Sequence, residues 1–197
     1  VDCSAQQHGI KRALFADVTE MVIVTPSEWL RSQVAASHLG SYDVRVINNG
    51  IDLDVYRPSS SNFRSVHNIG ENRIVLGVAL GWSRQKGFAY FLDLRERLDD
   101  KYTIVLVGLS DNEIADLPDG IIGLSRTKTT EELAQIYSAA DVFFNPTLED
   151  NFPTVNLEAL ACGTPVVAFE SGGATEAFDS TCGIGVAVGD MHSAVAA

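Results

Sequence analysis

Apolar runs of strand length recur along the chain, and segments of helical periodicity separate them. They are rich in β-branched residues and nearly free of polar interruptions. Such runs are typical of parallel strands that are covered by helices on both faces, because these strands have no solvent-exposed side. The alternation of strand and helix therefore predicts an α/β fold with a parallel sheet and helices on both faces. The predicted strands are 21–24, 44–47, 74–78, 103–107, 142–144 and 165–169.

Three segments between these runs carry helix signals. Thr129 followed by Glu132 has the spacing of a capping box, so a helix is predicted at about 130–140. Ser27 is placed to begin a second helix, because its hydroxyl can accept a free backbone N–H. Gly163 is placed to end a third, because glycine adopts the left-handed conformation after a helix without steric cost.

The chain is acidic overall, which limits the partners that it can bind. It has 14 Lys and Arg against 26 Asp and Glu, and a formal net charge of −12. Nucleic acids and anionic membranes require a concentrated basic face, so we expect no nucleic-acid partner. An anionic ligand must be bound by a few local cations. With 197 residues, 46% of them hydrophobic, the chain is long enough to bury a core.

The cysteines and the apolar runs indicate a cytoplasmic protein. Cys3, Cys162 and Cys182 are odd in number and widely spaced, so we expect neither a disulfide framework nor a zinc site. No run reaches 18 apolar residues, and the start lacks the pattern of a signal peptide. The chain starts with Val and stops just as a helix begins after Asp190, so we expect both ends to be truncated.

The segment 148–165 contains the most informative polar residues. Asp150 and Asn151 follow a predicted buried strand, at the carboxyl edge where open parallel sheets bind ligands. Pro153 suits the first turn of the helix that follows, and the free N–H groups of that turn form an anion site. Glu158 lies eight residues after Asp150, so the two carboxylates can hold separate parts of one polyhydroxylated ligand. From spacing alone, helix-end electrostatics and an ordinary surface charge explain these acids equally well.

The whole segment resembles the signature of the large family 4 of retaining glycosyltransferases, or glycosyl transferases group 1. These enzymes have the GT-B fold of two facing Rossmann-like lobes. The family pattern is Glu, seven residues, Glu, then small residues and Gly-x-Pro-Val; Asp150 stands at the first acidic position and Glu158 at the second. Glu149 competes for the first position, one residue out of register.

The resemblance implies a role for each residue of this segment. Asp150 contacts hydroxyls of the donor sugar, and Glu158 bonds the ribose of its nucleotide. The remaining donor-binding residues approach sugar and phosphate, in part through their backbone: Asn151, Phe152, Pro153 and Thr154.

A second match lies in the segment 81–88. The family has Gly-Arg, a few residues, and then Lys-Gly, with both cations on the donor diphosphate, where they stabilise the leaving group. Lys86 fits this pattern, whereas Gly81 occupies the usual Arg position. Arg84 is therefore the expected substitute. Together with Lys86 and Asp150, it forms the predicted catalytic set.

Other segments resemble further parts of the family pattern. Segments 23–30 and 46–52 are similar to the end of the acceptor lobe, and Trp29 is expected in its core. The tryptophan in segment 23–30, together with the sequence Glu-Asp-Asn-Phe-Pro at 149–153, is most like bacterial transferases of exopolysaccharide assembly, such as colanic acid synthesis. Arg126 lies where the family places the nucleotide base, although a solvated loop is an equal alternative. The turn at 172–176 is interpreted as backbone geometry first and ligand contact second.

The resemblance divides the chain into three parts. Residues 1–57 are the partial end of the N-terminal acceptor lobe. A linker follows at 58–71, where Gly, Pro and Ser cluster. Residues 72–197 form the nucleotide-sugar donor-binding lobe, truncated at its C-terminal end.

The implied activity of the full enzyme is transfer of a sugar from a nucleoside diphosphate, with retention, to a glycan or lipid-linked acceptor. No metal or other cofactor is implied, because the cations can do the work of a metal. No transmembrane segment is expected, although the full-length protein can still contact a membrane peripherally. Two alternatives stay open: a GT-B-fold sugar-nucleotide epimerase and a non-catalytic nucleotide-sugar-binding lobe.

Overall fold

The computed structural model describes residues 3–16 and 18–197, and the chain divides into two compact units between Asn48 and Asn49. In the first unit, strands β1 and β2 pair in parallel, with Val22 opposite Asp43. The N-cap of α2 is Ser27, whose side chain accepts the Leu30 N–H, as predicted. Trp29, which we expected in a core, is only half-buried. The elements of this unit are α1 (Ser4–Ala16), β1 (Val22–Thr25), α2 (Glu28–Ala35) and β2 (Asp43–Val46).

The second unit is an α/β domain with alternating strands and helices. Its sheet has six parallel strands in the order β5-β4-β3-β6-β7-β8. The elements in chain order are α3 (Phe63–Val66), β3 (Arg73–Val78), α4 (Phe88–Arg97), β4 (Tyr102–Val107), α5 (Asp111–Ala115), β5 (Ile121–Leu124), α6 (Thr130–Ala139), β6 (Val142–Asn145), α7 (Thr154–Ala161), β7 (Val166–Phe169), β8 (Gly183–Val186) and α8 (Met191–Ala196).

The order of the strands reverses once. From β3 the chain moves outward through β4 to β5, and it then returns to place β6 on the other side of β3. Connections therefore leave β3 and β6 in opposite directions. In open parallel sheets this reversal opens a crevice at the carboxyl ends of the strands, where ligands bind.

Side chains alternate between two cores, one on each face of the sheet. Ile74 and Leu76 of β3 point to a core that contains residues of α6 and α7, whereas Val75 points to a core that contains residues of α4 and α8. The middle strands therefore have no solvent-exposed face, which explains their continuous apolar sequences. The predicted parallel sheet with helices on both faces is confirmed.

The predicted strands correspond to β1, β2, β3, β4, β6 and β7, and several further elements, among them β8, α1, α3 and α5, were not predicted from the sequence. Strand β8 was missed because Gly183 and Gly185 interrupt its apolar pattern. Helix α1 was missed because its sequence is only weakly amphipathic. Residues 58–71, predicted as a linker, contribute the buried Phe63 and Ile69 to the core of the second unit. The assignment of the chain to acceptor and donor lobes stays a prediction.

The predicted capping box of α6 forms only in part. The Thr129 side chain accepts the Glu132 N–H, as expected. The Glu132 carboxylate, however, accepts the N–H of Lys128, one residue before the N-cap, because the chain reverses there. A complete capping box occurs instead at the start of α5, between Ser110 and Glu113.

The core on the α4 side predicts a strong response to one substitution. Phe91 is fully buried, and its ring packs edge-on against Phe144. We expect Phe91→Ala to lower the free energy of unfolding by about 3–5 kcal/mol, because it leaves a cavity in a packed core. Leu53→Ala is the matched control, since Leu53 is 66% exposed, and it should change stability by less than about 0.5 kcal/mol. Urea denaturation measures both, and equal losses would contradict the assigned core.

Candidate functional site

The loops after β3 and β6 lie side by side at the carboxyl edge of the sheet. The carbonyl oxygen of Gln85 accepts the Leu148 N–H at 2.8 Å and the Thr147 hydroxyl at 3.2 Å. The Thr147 carbonyl in turn accepts the Ser171 hydroxyl at 2.7 Å. These bonds connect three loops that are far apart in sequence, so the backbones of the loops keep fixed relative positions.

Lys86 and Asp150, both predicted from the sequence, form an ion pair across these loops. The Lys86 Nζ lies 2.8 Å from Asp150 Oδ2. The side chains are 43% and 21% exposed, respectively, so the pair sits at the crevice rather than in the core. Glu149, which competes for the first acidic position in the sequence, is exposed, takes no part in this contact and does not line the cavity beside it. Asp150 is therefore the carboxylate that the fold places beside Lys86.

The glycine turn at 172–173 fixes the backbone of Asp150. The Gly173 N–H donates to the Asp150 carbonyl at 3.0 Å. Gly172 has a φ of 56°, and a Cβ there would overlap the same carbonyl oxygen. Only glycine therefore fits this close approach. The expectation that the turn supplies backbone geometry agrees with this arrangement.

A cavity of about 370 Å³ opens beside the ion pair. Four of the predicted donor-site residues, together with Lys86, line it: Asp150, Phe152, Pro153 and Thr154. Lys86 is the one Lys or Arg among the described residues that line this cavity. The start of α7 also lines the cavity, and the first backbone N–H groups of a helix have no acceptor within it. An ammonium group and free N–H groups together make this the end of the crevice suited to an anion.

Pro153 lies one residue before the first turn of α7, whereas the sequence predicted it within that turn. It is the N-cap of α7, with φ −70° and ψ 114°, and Thr154 is the first helical residue. The prediction that Pro153 occupies the first helical turn is therefore wrong by one position. The physical reason is its extended ψ, which lies outside the helical range, so the helix begins at the next residue.

A larger cavity of about 980 Å³ continues from the first. Both are lined by Leu80, Trp82 and Thr154, so the two form one groove along the carboxyl edge. Three more predicted site residues line this second part: Gly81, Arg126 and Glu158. The groove thus collects most of the site residues that were predicted from three separate segments of the sequence.

Glu158 is held by two hydroxyl groups at the centre of this groove. The Tyr137 hydroxyl donates to its Oε2 at 3.0 Å, and the Thr154 hydroxyl to its Oε1 at 3.3 Å. Burial raises the pKa of Glu158 above its ordinary value, and the two hydrogen bonds oppose this rise only in part. Burial, with the Glu158 charge as a smaller cause, also raises the pKa of Tyr56 to about 12. The carboxylate is partly desolvated and oriented, as a group that binds ligand hydroxyls must be.

Two predicted residues lie outside the groove. Arg84 is exposed and lines neither cavity, because the turn at 83–87 directs Lys86, rather than Arg84, toward Asp150. Asn151 is also exposed and lines neither. Their predicted roles stay predictions.

Several residues that shape the groove were not predicted from the sequence. Trp82 donates its indole N–H to the Val107 carbonyl at 3.1 Å and anchors the loop after β3 to the end of β4. Asn145 donates to the buried Asn156, which donates to the Ala174 carbonyl at 2.7 Å. A polar residue such as Asn145 at the end of an apolar run was the available signal, because buried amides require partners.

Residues 3–16 and 18–197 contain neither a candidate metal site nor a candidate membrane span. No group of three or more His, Cys, Asp or Glu there is arranged to hold a metal ion. No helix in the same residues is long and apolar enough to cross a membrane. A separate cavity of about 520 Å³ lies at the amino ends of the strands, beside Arg73 and Asp141, and contains none of the predicted site residues.

Comparison with known families identifies the sequence. Residues 72–197, well over half of the chain, match the family model described as glycosyl transferases group 1. The chain belongs to this family. The matched region begins just before β3 and includes the whole groove except Tyr56 and Asn49.

Two curated relatives of this group 1 chain are similar over most of its length. Alpha-maltose-1-phosphate synthase of Mycolicibacterium smegmatis is 27% identical over 173 residues, which cover 78% of this chain and 45% of the relative. D-inositol 3-phosphate glycosyltransferase of Corynebacterium jeikeium is 30% identical over 184 residues, which cover 83% and 44%. The chain thus spans less than half the length of these relatives.

Solved structures share the fold of this group 1 chain. Anabaena Alr3699/HepE in complex with UDP-glucose has a TM-score of 0.80 at 21% identity and covers 98% of this chain and 57% of that protein. Sucrose-phosphate synthase from Thermosynechococcus elongatus has a TM-score of 0.82 at 23% identity and covers 98% and 51%. Both comparisons support the Rossmann-like α/β architecture.

The close approach at Gly172 predicts a measurable cost of substitution. We expect Gly172→Ala to lower the free energy of unfolding by about 1–3 kcal/mol, because it combines backbone strain with a clash against Asp150. Gly163→Ala is the matched control: φ is 86°, but the nearest atom is a side-chain carbon of Pro58 at 3.6 Å. It should cost about 1 kcal/mol from left-handed strain alone. Urea denaturation compares the two, and equal losses would show that the Asp150 contact imposes no constraint.

The raised pKa of Glu158 predicts a pH-dependent stability difference. The folded chain binds the Glu158 proton more tightly than the unfolded chain does. The stability that this proton contributes is therefore complete below pH 4.5, the ordinary pKa of a glutamate, and decreases as the pH rises above it. We expect Glu158→Gln to have the higher melting temperature at pH 7 and an equal one near pH 4. Tyr137→Phe, which removes a bond that lowers this pKa, should steepen the dependence. A difference between wild type and Glu158→Gln that is constant with pH would contradict the assignment.

Proposed function

We propose that this chain provides the nucleotide-sugar-binding lobe of a glycosyltransferase that transfers a sugar, with retention, to a glycan or lipid-linked acceptor. The observation that supports this most strongly is the groove at the strand reversal. It joins a cationic and N–H-rich end, at Lys86 and the start of α7, to a carboxylate, Glu158, held by two hydroxyl groups. A nucleoside diphosphate requires these two chemistries side by side.

The proposed orientation of the donor follows from the charges. The diphosphate lies at Lys86 and the α7 N-terminus, because these groups attract phosphate oxygens. The ribose hydroxyls meet Glu158, and the base extends toward Arg126 in the larger cavity. The sugar lies near Asp150, in the smaller cavity.

The chemistry of the relatives supports this class of reaction. The two curated relatives are named as a synthase of a maltose phosphate and as a glycosyltransferase, and one structural neighbour holds UDP-glucose. Retention, a hexose as the transferred sugar, the bacterial exopolysaccharide setting and a cytoplasmic location rest on the sequence resemblance. So does the acceptor, which we assign to the part of the protein outside this chain.

We further propose that the reaction needs no metal. Lys86 and the N–H groups of α7 neutralise the charge that develops on the departing diphosphate. Arg84 requires its long side chain to turn into the groove if it is to assist. The isolated chain should bind donor weakly and transfer little, because we assign the acceptor site and the contacts that close over the donor to the part of the protein outside this chain.

Calorimetric titration of the 197-residue chain with uridine, guanosine and adenosine diphosphates and their sugars tests the proposal. We expect saturable binding of one nucleotide. Lys86→Ala and Glu158→Ala should each weaken it roughly tenfold to a hundredfold, the worth of a hydrogen bond to a charged group.

Two arginine variants sharpen this titration. Arg97→Ala is the control, because Arg97 pairs with Asp93 on α4, away from the groove, and binding should not change. Arg84→Ala decides whether Arg84 reaches the diphosphate: a loss like that of Lys86→Ala would place it there. Binding that survives both Lys86→Ala and Glu158→Ala would contradict the proposed site.

A further inference from the structure

The two partners of the Lys86–Asp150 pair differ in mobility. Asp150 is fixed twice, since its Oδ1 accepts the Phe152 N–H at 3.3 Å and its carbonyl accepts the Gly173 N–H at 3.0 Å. Lys86 is the more exposed partner and carries its charge on a flexible four-carbon stem. When an anion enters the cavity, Lys86 therefore moves to it and Asp150 stays.

The departure of Lys86 leaves Asp150 in an unfavourable state. Its carboxylate, which is only 21% exposed, then faces the entering phosphate without its cation. Removing one partner of a partly buried pair leaves an uncompensated charge, and two nearby negative charges repel each other. A ligand that offers only a diphosphate pays this cost in full.

A sugar attached to the diphosphate removes the cost. Its hydroxyl groups are hydrogen-bond donors, and an ionised carboxylate accepts several such bonds. The sugar hydroxyls thus replace Lys86 as the donors to Asp150, while the diphosphate replaces Asp150 as the acceptor for the Lys86 ammonium group. Both halves of the pair keep a partner only when the ligand carries both groups.

We propose that the Lys86–Asp150 pair couples recognition of the diphosphate to recognition of the sugar, so that the groove distinguishes the intact donor from the spent nucleoside diphosphate. This inference rests on the proposed function, because it places the donor in this groove. It adds that Asp150 weakens binding of the product. The same group therefore assists release of the diphosphate after transfer.

The test is the affinity of wild type and Asp150→Asn for the nucleoside diphosphate and for its sugar conjugate. In Asp150→Asn we expect the free diphosphate to bind about two- to fivefold more tightly, the effect of a partly exposed ion pair that no longer competes. The sugar conjugate should bind more weakly, so the preference of the groove for the conjugate over the free diphosphate decreases. In a Lys86→Gln background the gain for the free diphosphate should largely disappear.

Asp93→Asn is the matched control. It removes an aspartate that pairs with Arg97 on α4 at 2.9 Å, and it should leave both affinities unchanged. The Asn at position 150 can still accept the Phe152 N–H, and equal melting temperatures would show that the loop is intact. Unchanged or weaker binding of the free diphosphate by Asp150→Asn would overturn the inference and leave the proposed function standing. A wild-type chain that binds no nucleotide would overturn both.

Discussion

The pairing of β3 with β6 determines the arrangement of the whole second unit. Val75 lies opposite Val142 and Leu76 opposite Phe143, and this register joins two halves of a sheet whose connections run in opposite directions. The loops that follow the two strands therefore meet at the carboxyl edge of the sheet, and the groove lies beside them. The positions of Lys86, Asp150 and Glu158 depend on this pairing, because they lie on the segments that follow β3 and β6.

The loops keep their positions through backbone hydrogen bonds. The Gln85 carbonyl joins the loop after β3 to the loop after β6, and the Asp150 carbonyl joins the latter to the glycine turn at 172–173. Such bonds leave the side chains of Lys86 and Asp150 free to face the cavity. A groove built in this way is fixed before any ligand enters, which reduces the entropy lost on binding.

The electrostatics of the groove differ from those of the chain as a whole. The formal net charge of −12 repels anions at long range. Close to the sheet edge, the Lys86 ammonium group and the N-terminus of α7 offer local partners for an anion. The neighbouring carboxylates, Asp150 and Glu158, are suited to hydroxyl groups. An acidic protein can therefore bind a ligand that is anionic at one end and polyhydroxylated at the other.

The sequence by itself determined the fold class, because continuous apolar runs of strand length are typical of strands that are covered on both faces. Its resemblance to the family selected Asp150 and Glu158, which line the groove from the loop after β6 and from α7. Three features depend on neighbours that local patterns do not contain. They are the glycine-interrupted strand β8, the N-cap position of Pro153, and the hydrogen bond that the Lys128 N–H donates to the Glu132 carboxylate.

Tertiary structure alone decided which of these side chains meet. Asp150, rather than Glu149, faces Lys86, although the two acids are adjacent in sequence. Arg84 lies outside a groove that Lys86 enters, although a single residue separates them. Tyr137 reaches Glu158 from a different helix. The physical reason is that periodicity fixes which residues are buried, whereas the direction of a loop side chain depends on contacts with segments that are distant in sequence.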